Sequence, residues 1–188
     1  MRFIALLLCL STLALAGCQN FSLPLVRPFA GGTADYATVP EATLREVALE
    51  IEQAVKNNQG DVVIADREGV LVSTQEIQQA IQTRAKRSPL YQEFLGTGFA
   101  FEMRNGLGSI LRSKEYKNFG TSGDRDRNAL LIMSENSDRW TIYEGIVNAN
   151  NYPSRSLAAV QAIFFEARLQ AMDAGQKYEG EDGKPVAK

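Results

Sequence analysis

The chain has 188 residues, a formal net charge of −2 and 45% hydrophobic residues. This length suits one domain with a short additional segment. The mild acidity argues against a nucleic-acid-binding protein, which would present a basic surface. The chain contains no histidine and only two cysteines, Cys9 and Cys18. The missing histidine excludes Ser-His-Asp and Cys-His catalytic sites, and zinc sites built from the usual ligand set.

The N-terminus has the pattern of a secretory signal peptide. Arg2 supplies a positive charge, and the following run, residues 3–16, is apolar apart from two hydroxyl residues. This run is shorter than the about 20 apolar residues that a membrane-spanning helix needs. The sequence Leu15-Ala16-Gly17-Cys18 resembles the lipobox of bacterial lipoproteins, in which the cysteine is acylated and becomes the new N-terminus.

The lipobox resemblance implies an anchored, periplasm-facing protein with palmitate-type acyl chains on Cys18. Two acyl chains already anchor a protein stably, since each buried CH₂ contributes about 0.8 kcal/mol. We therefore predict a signal peptide over 1–17, a lipidated tether over 18–38 and one domain over 39–188. Gln19 follows the cysteine where an aspartate would favour inner-membrane retention, which favours the outer membrane.

The first part of the domain predicts two helices and a hairpin. Apolar residues recur at a spacing of three to four over 40–57, which indicates an amphipathic helix. Within it, Glu52–Lys56 is expected to be a surface i,i+4 pair. Residues 61–72 are rich in β-branched side chains around a turn and predict a hairpin. Ser73 is then expected to begin a second helix through a capping box with Glu76.

Turn signals divide the rest of the domain. Ser88-Pro89 is expected to end the second helix and to cap a short third helix through Leu95. Arg84, in the last turn before it, is expected to interact favourably with the negative end of the helix dipole or to contact anionic lipid. The glycine-rich stretch 96–123 fits neither a Walker loop nor a dinucleotide fingerprint. Its Asn105-Gly106 pair instead predicts a second hairpin.

The last third of the chain predicts two long helices and a closing hairpin. The first helix spans about 124–148, although its early part, 130–133, is also compatible with a strand. Pro153 begins the second helix, which ends near Met172. Residues 177–188 form a hairpin that turns at Asp182-Gly183. The whole pattern predicts an α+β domain of four or five helices and two or three short hairpins.

Several motifs occur in a fixed order in this last third. They are Glu135-Asn136-x-x-Arg139, Tyr143, the turn 150–153, Val160-Gln161, Gly175-x-x-Tyr178 and Asp182-Gly183-Lys184. This order resembles the YdbL-like family of small bacterial envelope proteins, over residues 98–188, although Pro185 stands where the family often has an aromatic residue. The resemblance implies a periplasmic accessory protein without enzymatic activity. Relatives associate with large lipid-bridge proteins of the envelope, which implies a class of partner.

One helix face carries the candidate binding residues Asn136, Arg139, Trp140 and Tyr143, at i, i+3, i+4 and i+7. Arginine and aromatic residues are enriched at binding hot spots, so this face is a candidate partner-binding surface. The alternative is that Trp140 and Tyr143 pack in the core while Asn136 and Arg139 bond to a neighbouring loop.

The last third of the chain contains two further candidate sites. Glu135 and Asp138, with Tyr143, are a candidate acid–base set for glycan hydrolysis, although surface carboxylates on helices are common. The C-terminal hairpin is a candidate edge for strand addition by a partner, although edge lysines more often prevent such pairing.

The sequence therefore predicts an envelope lipoprotein that is an adaptor or chaperone for another envelope protein. The alternative is a binder of lipid or glycan through an apolar groove beside Trp140. No catalytic residue, metal or cofactor is predicted, and no nucleic-acid partner.

Overall fold

The structure, a computed structural model, describes residues 34–188, which contain five α-helices and one four-stranded sheet. The helices are α1 (Glu41–Lys56), α2 (Gln75–Gly96), α3 (Lys114–Lys117), α4 (Ser122–Ala149) and α5 (Leu157–Ala171). The strands are β1 (Ala100–Glu102), β2 (Gly108–Ile110), β3 (Lys177–Glu179) and β4 (Pro185–Ala187). The predicted α+β class of a single domain is confirmed for this part of the chain.

Two short hairpins build the sheet, which has the strand order β2-β1-β3-β4. β1 pairs with β2, and β3 with β4, in antiparallel fashion. The hairpins join through parallel pairing of β1 with β3, where Phe101 lies opposite Lys177. Gly106 and Gly183 have positive φ angles of 81° and 75°, as tight hairpin turns require. The hairpins predicted around Asn105-Gly106 and Asp182-Gly183 are thereby confirmed.

The four long helices pack around one apolar core, with α1 along α5 and α2 along α4. The core takes side chains from each of them, including Leu44, Ile51, Ile77, Ile81, Ile142, Ile146, Val160 and Phe164. A second, smaller cluster of buried residues lies where α2 and α4 meet α3 and the first hairpin. The predicted bounds of α1, α4 and α5 agree with the structure to within a few residues, and the strand alternative for 130–133 is wrong.

The hairpin predicted over 61–72 is wrong, because this segment is a loop with a single bridge between Arg67 and Val70. Side chains of the helices take the backbone groups that a hairpin would have paired. The amide of Gln78 bonds both the N–H and the C=O of Ile64, and it donates to the C=O of Val72 as well. The loop therefore obtains its hydrogen bonds from the helices on which it packs.

Helix α2 departs from the prediction at both positions where it was expected to begin or end. Thr74, and not Ser73, is the N-cap, because Ser73 bonds the carboxylate of Asp66 instead. Further along, α2 continues through Pro89 to Gly96. An interior proline costs about 3 kcal/mol. Buried side chains on both sides of it offset this cost, notably Ala85 and Leu95, which pack in the two apolar clusters.

Residues 34–38 belong structurally to the domain, although the sequence predicts that they are part of the tether. Tyr36 packs against the core, and Thr38 Oγ1 lies 2.7 Å from Ser156 Oγ. Asp35 forms an ion pair with Arg155. The predicted signal peptide and tether residues 18–33, with the lipidation site Cys18, lie outside the described residues. Within residues 34–188, no helix has the length and apolar composition that crossing a bilayer requires.

Candidate functional site

The four candidate binding residues lie on α4, and two of them are fully buried. Arg139 is 1% exposed and Tyr143 is 0% exposed. The prediction of a surface formed by all four is therefore wrong for these two. Asn136 and Trp140 are partly buried.

Three of the four residues hold the β1–β2 hairpin against α4. The side-chain amide of Asn136 accepts from the N–H of Gly108 at 2.8 Å and donates to its C=O at 2.9 Å. The Tyr143 hydroxyl donates to the C=O of Gly106 at 2.7 Å. Arg139 bonds a carboxylate of β1, Glu102. The alternative placement therefore holds for three of the residues, since Tyr143 packs in the core while Asn136 and Arg139 bond to the neighbouring hairpin.

Arg139 belongs to a larger set of buried ionised side chains, which we call the charge network. Each of its members is at most 4% exposed, and three arginines balance three glutamates. They come from α1, α2, β1, α4 and α5 and are Glu52, Arg84, Glu102, Glu135, Arg139 and Arg168. The network thus links every long helix to the sheet.

Glu102 on β1 forms a bidentate pair with Arg139. Its two carboxylate oxygens accept from Arg139 Nη1 at 2.6 Å and Nη2 at 2.9 Å, a bidentate arrangement. The hydroxyl of Tyr91 donates to it at 2.9 Å. Arg168 Nε lies 3.1 Å from Glu102 Oε2, although it is not aligned for a hydrogen bond.

Glu135 on α4 bridges the arginines of two helices. Its Oε1 accepts from Arg84 Nε at 2.8 Å and from Arg139 Nε at 2.9 Å. Its Oε2 accepts from Arg87 Nη1 at 3.1 Å, and Arg87 also bonds Asp138 at 2.6 Å. Arginine side chains therefore bond both Glu135 and Asp138, the two carboxylates of the candidate hydrolytic site.

Glu52 completes the network on the side of α1 and α5. It accepts from Arg84 at 3.0 and 2.8 Å and from Arg168 Nη1 at 2.9 Å. Arg168 Nη2 donates in turn to the C=O of Gly106 at 2.7 Å and to the Tyr143 hydroxyl at 2.9 Å. The expected surface pair of Glu52 with Lys56 is wrong, since Lys56 pairs with Asp173.

The network keeps two of its carboxylates ionised at neutral pH. Burial alone would raise the pKa of Glu102, but the charges of Arg139 and Arg168, with hydrogen bonds from Arg139 and Tyr91, lower it from 4.5 to about 2. Burial opposes Arg84 and Arg139 in the same way at Glu135, where the pKa also falls to about 2. Neither group holds a proton that a general acid would need near pH 7.

The space inside the network is too small for a substrate. Glu52, Arg84, Glu102, Glu135, Arg139 and Arg168 line a cavity of about 20 Å³. This volume is enough for about one water molecule. Among residues 34–188, no group of three or more His, Cys, Asp or Glu side chains is placed to hold a metal ion. What this arrangement does is fix four helices and a hairpin relative to one another.

Sequence reasoning missed four members of the network: Glu52, Arg84, Glu102 and Arg168. A signal was present for Arg84, which follows Ala80 and Ile81 at i+4 and i+3 and so lies on the buried stripe of α2. Its position in the predicted last turn instead favours an interaction with the helix dipole or with lipid. Its burial in the network overturns both expectations.

Two of the surface grooves along residues 34–188 have volumes of about 360 Å³ each. The first, which we call the apolar groove, lies between α2 and the start of α4 and is lined by Leu90, Phe94, Phe119 and Leu131, among others. Three apolar side chains of α2 and α4 are strongly exposed: Leu90 (61%), which lines this groove, and Leu130 (62%) and Met133 (66%) on α4. The second, which we call the tyrosine groove, contains Tyr36 and Tyr178. Trp140 lines neither groove.

Comparison of the chain with protein families, with curated proteins and with solved structures finds no match. The resemblance to the YdbL-like family and the lipobox therefore stay predictions from the sequence.

Proposed function

We propose that this protein is a non-catalytic adaptor or chaperone, lipid-anchored at Cys18 on the periplasmic side of the envelope, with the outer membrane favoured. It binds another envelope protein through the apolar groove and the exposed side of α4 that carries Leu130 and Met133. The observation that carries the proposal is the exposure of Leu90, Leu130 and Met133, each more than 60% exposed. The anchor rests on the lipobox resemblance.

Burying this surface would release free energy that the isolated domain does not use. A leucine or methionine side chain gains about 1.5–3 kcal/mol when it passes from full exposure to full burial. Leu130 and Met133 are three residues apart and therefore lie close together on the outer side of α4. Single exposed apolar residues are normal, but an apolar groove together with a pair of exposed apolar side chains on one of its helices is typical of an interaction site.

The surroundings of the apolar groove also resemble a protein interface. Its floor is formed by leucine and phenylalanine side chains, and its edge carries Glu93, Asp124 and Arg127. An apolar centre with a polar, charged rim is the usual anatomy of a protein–protein interface. Arg84 and Arg87 on α2 both bond Glu135 on α4, so the two helices present this surface without rearrangement.

A second candidate function is the binding of a lipid chain or glycan in the same groove. The volume of about 360 Å³ falls within the range of small-molecule sites. The leucine and phenylalanine lining suits an acyl chain better than a sugar. The exposed side chains Leu130 and Met133, which lie outside the lining, favour the protein partner because a small ligand in the groove would leave them in water.

Site-specific photocrosslinking in cells separates the two candidates. A photoreactive residue replaces Leu130 in the lipidated protein, and another replaces Val63, an equally apolar side chain that is 72% exposed on the loop before α2. We expect a discrete protein adduct from position 130 that Leu90→Glu abolishes, and none from position 63. Adducts with lipid alone would replace the adaptor with the second candidate. Equal labelling from both positions would reject the apolar surface as an interface.

A further inference from the structure

The tyrosine groove combines aromatic walls with negative charge. It lies between the 3-10 turn Tyr36–Thr38, helix α5 and the β3–β4 hairpin. Tyr36, Phe165 and Tyr178 contribute aromatic rings, and the centroids of the Phe165 and Tyr178 rings are 6.5 Å apart. Its volume of about 360 Å³ is enough for a long side chain and part of the backbone that carries it.

Carboxylates outnumber cations along this groove. Glu166, Glu179 and Glu181 line it, while Arg104 is the one cation among the described lining residues. Glu166 is paired with Arg45, and Glu179 accepts from the backbone N–H of Arg104 at 2.8 Å. Glu181 is exposed and makes no ion pair with the described part of the chain. An incoming cation would therefore find at least one carboxylate without a partner.

The surroundings of the tyrosine groove also change the pKa of Tyr36. Burial first, and then the negative charge of Glu166, raises the pKa of its phenol above 10, although Arg45 offsets part of the effect of Glu166. An anionic ligand would meet the same repulsion. The faces of aromatic rings carry the negative part of their quadrupole and attract cations within about 6 Å. The walls and the rim of the groove thus favour the same sign of ligand.

We propose that the tyrosine groove binds a lysine or arginine side chain of a partner polypeptide. The apolar stem of such a side chain would lie along Phe165 and Leu169, as long cationic side chains cover apolar surface while their charged ends stay polar. The charged end would lie against the ring of Tyr178 and the carboxylate of Glu181. This site shares no residue with the apolar groove and stands whether or not that groove binds a partner.

Fluorescence anisotropy with short peptides tests the assignment. The lipidated protein, in a neutral detergent, is titrated into dye-labelled tetralysine, and tetraglutamate with the same dye is the negative probe. Tyr178→Leu keeps an apolar side chain but removes the aromatic face, and Glu181→Gln removes one carboxylate. Glu68→Gln makes the same charge change at an exposed position outside the groove and is the matched control.

We expect tetralysine to bind and tetraglutamate not to bind. Tyr178→Leu and Glu181→Gln should each weaken tetralysine binding about two- to fivefold, the range expected for one exposed cation–π or ionic contact. Glu68→Gln should leave it unchanged. An equal loss with Glu68→Gln would overturn the proposal, because binding would then depend on total charge alone. Absence of tetralysine binding, or competition by a neutral oligosaccharide at the groove, would overturn it too.

Discussion

Replacing Glu102 by glutamine tests whether the charge network stabilises the domain. Glutamine keeps the size of the side chain but removes its negative charge. Arg139, which is 1% exposed, then loses its bidentate partner, and Arg168 loses the nearest charge to its Nε. Arg139 then keeps Glu135 as its one carboxylate partner, and the loss of one of two counter-ions from a buried arginine is costly.

Two lines of reasoning give similar magnitudes for Glu102→Gln. The network lowers the pKa of Glu102 from 4.5 to about 2, and at about 1.4 kcal/mol per pH unit this corresponds to about 3 kcal/mol of interaction with the ionised form. Removing one partner of a buried ion pair generally costs about 3–5 kcal/mol. We therefore expect the free energy of unfolding to fall by about 3–5 kcal/mol, a large part of the total for a domain of this size.

Urea unfolding, followed by the fluorescence of Trp140, measures this change in a Cys18→Ser background without lipid. Trp140 is the sole tryptophan of the chain and adjoins Arg139, so it reports on the region of the network. Glu50→Gln is the matched control, because Glu50 pairs with Arg67 on the surface, where the two side chains are 43% and 40% exposed. That surface pair should contribute at most about 1 kcal/mol.

A loss below about 1 kcal/mol for Glu102→Gln, indistinguishable from the control, would refute this reasoning. A double-mutant cycle with Arg139→Gln then locates the interaction. We expect a coupling free energy of about 1–3 kcal/mol between Glu102 and Arg139, since the two side chains are in direct contact. Strict additivity would contradict the pairing itself.

Three other outcomes are expected. Because folding lowers the pKa of Glu102 and Glu135 to about 2, their contribution is complete above about pH 4.5 and is lost as the pH falls from there towards 2, so urea unfolding should show stability dropping steeply across that window. Gly106→Ala should cost more than Gly175→Ala: both have positive φ, but at position 106 a Cβ would also lie 3.1 Å from Tyr143 Oη, whereas at 175 it meets nothing within 4 Å. The conformation itself costs about 1–2 kcal/mol at either position, so a smaller loss at 106 in urea unfolding would contradict the packing argument. Cys18→Ser should move the protein from the membrane to the soluble fraction, and continued firm attachment would disprove the lipid anchor.

The charge network explains how the four long helices adopt one arrangement. Buried ion pairs contribute little net stability compared with apolar packing, and they penalise any arrangement that leaves a member unpaired. Arg84 must reach both Glu52 on α1 and Glu135 on α4, which fixes α2 against both. The geometry of the network thus supports a role in selecting one packing of the four helices over others.

The sequence by itself determined the features that depend on neighbouring residues. The spacing of apolar residues located α1, α4 and α5, because helical periodicity is a local property. Asn105-Gly106 and Asp182-Gly183 located both hairpin turns, since few other residues adopt the backbone angles these turns need. The amphipathic pattern and the turns together were enough for the fold class.

Only the tertiary structure decided which local preferences were overruled. Pro89 lies inside α2 because packing on both sides offsets the lost hydrogen bond, and the loop 61–72 forms no hairpin because Gln78 takes its backbone groups. β1 pairs with β3 although Phe101 and Lys177 are far apart in sequence. The sequence makes Arg139 a surface candidate, whereas in the structure it is buried between Glu102 and Glu135, which belong to two different elements. Whether a charged side chain is buried depends on partners that distant segments supply, and no local pattern in the sequence contains that information.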